Sequence, residues 1–245
     1  GLEKLLNDFY IKKIDVLKER SIASIGGSKG FINNIENSYF GTWERKGKYL
    51  IGSLNSINKN RKGFLVVHLR MTGQFKLFAQ QKDPCPHTRV RFLEEEGGRE
   101  LRFIDIRNFG QMWLVPPNKS VEEIITGINK LGPEPFSNSF NSSYLKKSLR
   151  NRKRSIKSSL LDQETVAGVG NIYADETLFD AGINPKTESR NLKKSELNKL
   201  CKSLVKILKI SIGKGGTTFS DFRDLEGING NYGGQAWVYR RGGKD

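Results

Sequence analysis

Residues 168–173 read Gly-Val-Gly-Asn-Ile-Tyr, and this stretch does most to decide the fold of the second half of the chain. The two glycines let the backbone turn tightly and approach a ligand closely. A helix is predicted over 171–181, directly behind them. Its free N–H groups and its dipole favour a phosphate at that end, and Asn171 adds an amide donor. Such turns are also common for purely geometric reasons, so the neighbouring sequence has to support this interpretation.

A basic run lies just upstream of this turn. Its cations are Arg150, Arg152, Lys153, Arg154 and Lys157. The whole chain carries 42 Lys and Arg against 26 Asp and Glu, a formal net charge of +16. Such an excess indicates a polyanionic partner, because cations near phosphates release condensed counterions. Nucleic acid is favoured over an anionic membrane surface or a merely solvated basic face, and the run with the turn resembles a helix-turn-helix module that grips a backbone.

The rest of the second half has helical patterns. Ser142 or Ser143 is predicted to cap a helix that runs through Arg150. The clearest helix is predicted over 195–212 and ends at a cluster of glycines. Its apolar stripe has i, i+3, i+4 spacing and consists of Leu197, Leu200, Cys201, Leu204, Val205, Leu208 and Ile212. Cys201 is therefore expected to be a small buried hydrophobe.

The first half has the pattern of a β-domain. Residues 9–17 alternate between apolar and polar, and further β-type runs are 49–54, 64–69, 88–92 and 101–104. Clusters of Gly, Asn and Lys separate them, which is typical of a sandwich or barrel. A short helix is predicted over 121–130, and residues 131–135 read as a linker.

Three sites in the β-region have ambiguous local patterns. Phe109 and Arg107 could insert among stacked bases, although the local sequence favours a surface Arg beside a core Phe. Met71, at a predicted turn, could be core or an exposed wedge. Residues 45–49 hold three cations, one of which could be a catalytic or phosphate-binding lysine. Nothing in the local sequence selects Lys48 over Lys46.

Other classes of protein are excluded or disfavoured by what the sequence contains. The sequence contains no run of 18 apolar residues that could span a bilayer, and no signal peptide is visible. Two cysteines and two histidines make neither a disulfide scaffold nor a four-Cys or multi-His metal site. We therefore expect a reducing compartment and no metal bound by this chain.

Taken in order, the motifs are similar to those of the formamidopyrimidine-DNA glycosylase and endonuclease-VIII-like family. They are Arg-Lys-Gly-Lys-Tyr-Leu at 45–50, His-Leu-Arg-Met-Thr-Gly at 68–73, Asp-Ile-Arg-Asn-Phe-Gly at 105–110, Leu-Gly-Pro-Glu-Pro at 131–135, Leu-Asp-Gln at 161–163, Gly-Val-Gly-Asn-Ile-Tyr-Ala at 168–174, Ala-Gly-Ile-Asn-Pro at 181–185 and Gly-Gly-Thr-Thr at 215–218. The resemblance covers essentially the whole chain.

This resemblance implies an α+β fold with two domains and DNA across the cleft between them. We expect an N-terminal β-sandwich over 1–117, a linker over 118–135 and a helical domain over 136–235. The helical domain would carry a helix-two-turns-helix motif and, at 217–235, a loop that closes over an extruded base. Residues 236–245 would begin a zinc-finger region.

The resemblance also implies roles for individual residues. Lys48 would be a catalytic lysine that contacts phosphate at the lesion. The expected DNA contacts are Arg89, Arg107, Arg152, Lys157 and Asn171. The residues expected to fill the gap left by the extruded base are Met71, Arg107 and Phe109. The damaged-base pocket would include Glu176, Thr217 and Thr218.

The implied activity is base-excision repair of oxidised purines, 8-oxoguanine and formamidopyrimidines, in double-stranded DNA. In the family an N-terminal proline attacks the sugar, and the next residue, a glutamate, serves as acid and base. A four-Cys zinc finger lies near the C-terminus. We expect both ends to be missing from this chain, which would leave it inactive as printed and without zinc ligands. A monomer in the bacterial cytoplasm, at the nucleoid and away from membranes, is expected. A non-catalytic damage binder and an oxidised-pyrimidine glycosylase are the alternatives.

Overall fold

The computed structural model describes residues 1–217 and 225–239, which fall into two compact units. The first contains residues 1–129 and 225–229, and the second contains residues 130–217 and 230–239. Residues 118–129, expected in a linker, therefore belong to the first unit. The helix predicted over 121–130 is two short helices, α3 (Val121–Ile124) and α4 (Thr126–Asn129), because Ile125 leaves the helical conformation with φ −115° and ψ 85°.

Two antiparallel sheets form the body of the first unit. The five-stranded sheet has the order β1-β3-β4-β5-β9, and the four-stranded sheet has the order β2-β7-β8-β6. The strands are β1 (Tyr10–Ile11), β2 (Lys13–Val16), β3 (Ser38–Lys46), β4 (Tyr49–Asn55), β5 (Arg61–His68), β6 (Gly73–Phe78), β7 (Thr88–Leu93), β8 (Glu100–Asp105) and β9 (Gln111–Val115). Two helices lie at the start of this unit, α1 (Leu2–Leu6) and α2 (Gly27–Ile35).

The alternating run at residues 9–17 forms two strands in place of the single strand expected. Ile11 pairs with Ser38 in one sheet, and Lys13 pairs with Leu93 in the other, so the chain changes sheet at Lys12. The phase of the alternation shifts at this change, because Lys12 and Lys13 are both exposed while Ile11 and Ile14 on either side of them are buried in the shared core. That core contains Phe9 and buried residues from both sheets, including Ile11, Ile14, Phe40, Leu65, Phe92 and Phe103.

The second unit is helical, which confirms the predicted α+β class. Its helices are α5 (Ser142–Leu149), α6 (Ile156–Leu161), α7 (Asn171–Ala181) and α8 (Lys194–Gly213), with 3-10 turns at Ser189–Asn191 and Tyr232–Gln235; a third such turn, Glu19–Ser21, lies in the first unit. The cap of α5 is Asn141, whose side chain accepts from Tyr144 N at 2.9 Å, and not Ser142 or Ser143. Leu197, Leu200 and Leu204 of the predicted stripe on α8 pack into the helical core, with Cys201 and Leu208 partly buried beside them. Ile212, expected on the stripe, is 66% exposed, and Ile207, which was not expected there, is buried. In the described part of the chain, no helix combines the length and the apolar character that a membrane span requires.

Candidate nucleic-acid interface

Lys48 lies in the tight turn that joins β3 to β4. Lys46 pairs with Tyr49 across this hairpin, so Gly47 and Lys48 form the turn, and Gly47 has a φ of 61° that favours glycine. Lys46 is engaged by Glu122, with 2.6 Å between Nζ and Oε1. Lys48 forms no ion pair with an acid among residues 1–217 and 225–239. The structure thus separates the two lysines, which the local sequence alone could not do.

Lys48 belongs to a small group of cations and potential cations. Its side chain is open to solvent, but nearby protein atoms displace part of the water around the ammonium, and this desolvation lowers its pKa; the positive charge of Arg70 lowers it further. His68 lies in the same group, and burial followed by the charges of Arg70 and Lys48 lowers its pKa to about 4. At neutral pH His68 is therefore uncharged, and its Nδ1 accepts from Arg70 N at 3.0 Å.

Met71, Arg107 and Phe109 come together on two loops of the first unit. Met71 is 69% exposed and Phe109 is 41% exposed, so neither is a core residue. The Arg107 guanidinium donates to the Met71 sulfur at 3.0 Å and lies 5.2 Å from the centre of the Phe109 ring. The interpretation that local sequence favoured, with Phe109 in the core, is therefore wrong. The three residues predicted to fill a base gap contact one another at the surface.

A buried acid that the sequence interpretation missed holds these two loops. Asp105 is fully buried, and its carboxylate accepts from the Thr72 hydroxyl and, at 2.7 Å, from Gly110 N. The Thr72 hydroxyl oxygen in turn accepts from Arg107 N at 3.0 Å. A buried Asp directly before a polar loop is the signal that could have identified this position, because a buried carboxylate requires donors.

Arg89 lies below the same loop and is only 6% exposed. Its guanidinium donates to the backbone carbonyls of Asp105, Ile106 and Pro86 at 2.7, 3.4 and 3.2 Å. This burial favours a positioning role over the direct DNA contact that was predicted. His87, two residues earlier, is exposed and was not assigned a role from the sequence.

In the second unit, polar side chains fix the two turns that join α6 to α7. Gln163 donates to the carbonyls of Leu161 and Val169 at 2.9 Å and accepts from Gly168 N at 2.9 Å. Gly168 has a φ of 83°, a conformation that favours glycine. These bonds present the N-terminus of α7 to solvent, with Asn171 exposed at its first position. The phosphate seat expected at this turn thus has a rigid frame.

Arg152 and Lys157 are both held by acids of their own unit. Arg152 Nη1 is 2.5 Å from Asp162 Oδ2, and Arg154 contacts the same carboxylate. Lys157 Nζ is 2.7 Å from Asp175 Oδ1. Each cation would have to share or exchange its carboxylate for a phosphate to contact DNA.

Glu176 and Thr217, predicted to line a lesion pocket, have defined partners in the second unit. Glu176 is fully buried, and its oxygens accept from the backbone N–H groups of residues 237, 238 and 239 at 2.6, 2.9 and 3.0 Å. It therefore anchors residues 237–239. Thr217 Oγ1 lies 3.1 Å from the Tyr173 hydroxyl. Thr218 lies outside the described residues.

The zinc that the resemblance implies has no fitting ligands in this part of the chain. Across residues 1–217 and 225–239, no group of three His, Cys, Asp or Glu side chains could hold a metal ion. Cys85 and Cys201 are free, and burial raises the pKa of the Cys201 thiol to about 11.

Sequence families match both units. The formamidopyrimidine-DNA glycosylase N-terminal domain matches residues 1–112, and the formamidopyrimidine-DNA glycosylase H2TH domain matches residues 131–223. A protein of Prochlorococcus marinus strain NATL2A named formamidopyrimidine-DNA glycosylase is 75% identical over 245 residues, which is all of this chain and 86% of that protein. The protein of the same name from Parasynechococcus marenigrum is 54% identical over 244 residues, again covering 100% of this chain and 86% of the relative.

Solved structures have the same fold. The Lactococcus lactis Fpg protein in complex with DNA that contains an abasic site is 28% identical and has a TM-score of 0.86, covering 97% of this chain and 83% of that one. The MutM (Fpg) protein of Thermus thermophilus is 32% identical with a TM-score of 0.84, covering 98% of this chain and 83% of that one. Matches in both units, together with relatives of such high identity over the whole chain, show that it belongs to the formamidopyrimidine-DNA glycosylase family.

Proposed function

We propose that this protein is a base-excision repair glycosylase that flips oxidised purines out of duplex DNA, removes them and cuts the strand. The single observation that carries the proposal is the surface cluster of Met71, Arg107 and Phe109, with Lys48 near Arg70 in the same unit. Family membership agrees with it, and the Lactococcus lactis relative has been solved on DNA that contains Fapy-dG.

The cluster suits a protein that acts on a base inside a helix. Extruding a base costs on the order of a few kcal/mol in lost stacking and pairing. Apolar side chains that enter the vacated space offset part of this cost, and an arginine can supply hydrogen bonds to the base left without a partner. Met71 and Phe109 provide the apolar surface, and Arg107 provides the donors.

Lys48 would act on the phosphate and the sugar of the extruded nucleotide. Its lowered pKa reflects partial loss of hydration, so an approaching phosphate restores favourable interactions to its ammonium. The resemblance implies that the nucleophile of the lyase step is the amine of an N-terminal proline. That amine would bond to the sugar C1′ as the damaged base leaves, the sugar ring would open to give a Schiff base, and β,δ-elimination would then break the C–O bonds to the 3′ and 5′ phosphates.

The second unit would hold the DNA backbone. The N–H groups at the start of α7 and the amide of Asn171 suit a phosphate, and Arg152 and Lys157 add positive charge nearby. We infer a double-stranded DNA partner, action as a monomer, and work at the nucleoid in the bacterial cytoplasm.

The test is to trap the reaction intermediate with borohydride on a duplex that contains 8-oxoguanine, using the native protein. A covalent protein–DNA adduct and strand cleavage are expected. A protein that binds the lesion without forming an adduct would be a non-catalytic binder, which contradicts the proposal. Stronger cleavage at thymine glycol than at 8-oxoguanine would instead favour the oxidised-pyrimidine alternative.

A further inference from the structure

The two loops that carry Met71, Arg107 and Phe109 depend on one buried carboxylate. Met71 lies on the turn between β5 and β6, while the other two lie on the loop between β8 and β9. Asp105, at the end of β8, holds the first loop through the Thr72 hydroxyl and its own loop through Gly110 N. The three exposed side chains are thus fixed relative to one another from below.

Thr72 joins both loops through its side-chain hydroxyl. A hydroxyl has one proton and two lone pairs. In Thr72 the proton goes to Asp105, and a lone pair accepts from Arg107 N at 3.0 Å. The same atom therefore ties the residue after Met71 both to the buried acid and to the backbone of Arg107.

The surroundings of the β8–β9 loop restrict its alternatives. The Arg89 guanidinium engages the carbonyls of Asp105 and Ile106 from inside the unit. A Cβ placed on Gly110 would lie 2.4 Å from the Phe103 ring and 3.1 Å from the Asp105 carboxylate, so the backbone passes close to the core there. Loss of the Thr72 link would consequently free the Met71 turn and the Arg107 backbone more than the rest of the loop.

We propose that Thr72 and Asp105 are positioning residues that assemble Met71, Arg107 and Phe109 into one preformed wedge before DNA arrives. This inference rests on the proposed function, in which these three residues enter the helix. Preassembly lowers the cost of ordering flexible side chains during binding, so its loss weakens binding of a damaged site more than binding of intact DNA.

The test compares Thr72→Val, which keeps the shape and removes the hydroxyl, with Thr72→Ser, which keeps the hydroxyl. The probe is a duplex with a tetrahydrofuran abasic analogue opposite 2-aminopurine, whose fluorescence rises when it is unstacked. For Thr72→Val we expect the preference for this duplex over undamaged DNA to fall about tenfold and the fluorescence rise to shrink. Affinity for undamaged DNA should stay within about twofold of wild type.

Two further variants separate the network from general loosening of the loop. Ser21→Ala removes the hydrogen bond from the Ser21 hydroxyl to Asn108 Oδ1, 3.3 Å long, on the same loop but outside the network. It should leave the damaged-site preference within about twofold of wild type. Thr72→Cys, with a weak thiol donor, should give an intermediate loss and keeps the test readable if Thr72→Val does not fold.

Rescue by Thr72→Ser together with loss in Thr72→Val supports the inference. Equal losses in Thr72→Val and Thr72→Ser, an equal loss in Ser21→Ala, or full retention in Thr72→Val would each overturn it. A wild-type protein with no preference for the abasic analogue and no fluorescence change would instead contradict the proposed function itself.

Discussion

The cations expected to act on DNA lie in opposite electrostatic environments in the two units. In the first unit, Lys48 and Arg70 repel each other, and His68 is kept neutral beside them. In the second unit, Arg152 and Lys157 each contact a carboxylate, Asp162 and Asp175 respectively. The family relationship alone would not distinguish these two arrangements, because both sets of residues are basic.

The difference indicates how each unit would respond to a phosphate. A cluster of like charges is unfavourable until an anion arrives, so the first unit gains free energy from each phosphate that it binds. An ion-paired cation gains less, because it must give up or share its carboxylate. We therefore expect the first unit to drive the reaction and the second to fix the position of the DNA.

Lys48→Met should give the largest effect in this comparison. It removes the ammonium from the cluster, and we expect excision to fall by about 100-fold or more, the usual range for a group that acts directly in the reaction. Single-turnover excision of 8-oxoguanine from a duplex measures this.

Lys46→Met is the matched control, two positions away and bound to Glu122. It should change the excision rate by less than about threefold, as expected for a surface ion pair. Similar losses in the two variants would show that the turn responds only to total charge, and the distinction between the lysines would then fail.

A smaller effect is expected from pH acting on His68. Its pKa of about 4 in the folded protein lies below the ordinary 6.5, so the unfolded chain takes up this proton first as the pH falls. The free energy of unfolding should therefore decrease from about pH 6.5 downward and level off near the folded pKa. After allowance for solvent screening, we expect a loss of about 1 kcal/mol between pH 7 and pH 5 that is absent from His68→Gln. Urea unfolding at both pH values measures it, and equal pH dependence in the two proteins would rule out this contribution.

The smallest effect is expected from Asp175→Asn, which takes the carboxylate away from Lys157. Affinity for duplex DNA should increase by about threefold at low salt, and the gain should shrink as salt screens the interaction. Asp180→Asn is the matched control on the same helix, since Asp180 pairs with Lys206 at 2.6 Å on α8. Equal gains in DNA affinity in both variants would mean that only net charge matters and that Lys157 does not contact the DNA backbone.

The elements that could be predicted from sequence are those with a strong local period. The stripe on α8 and the glycine turn before α7 specify their helices within a residue or two. Residues 9–17 are different, because their alternation shifts phase at Lys12 and Lys13, and only long-range pairing shows that the two halves belong to different sheets. The strands β3, β6 and β9 and the helix α2 were not predicted, since each of these strands is only partly buried and α2 contains two glycines near its start.

Site residues could be identified from sequence only where their role does not depend on which other residues they contact in the fold. Met71 and Phe109 were identified as possible wedges, but their exposure could be determined only from the fold. Arg89 and Glu176 were assigned to DNA and to the lesion, yet both are buried against backbone groups of their own unit. A charged side chain has the same local sequence signal whether it contacts a ligand or satisfies the backbone, so tertiary contacts decide its role.

The outer edges of the two sheets bear on a different property, resistance to aggregation. An open edge strand offers unpaired amides to other molecules. Leu77 N on β6 donates to Leu225 O at 3.0 Å, and Met112 O on β9 accepts from Ala23 N at 2.8 Å. Short segments from distant parts of the chain thus cover part of one edge of each sheet. A variant that detached residue 225 from β6 would leave that strand free to recruit a second copy, so its first defect would be self-association in concentrated solution.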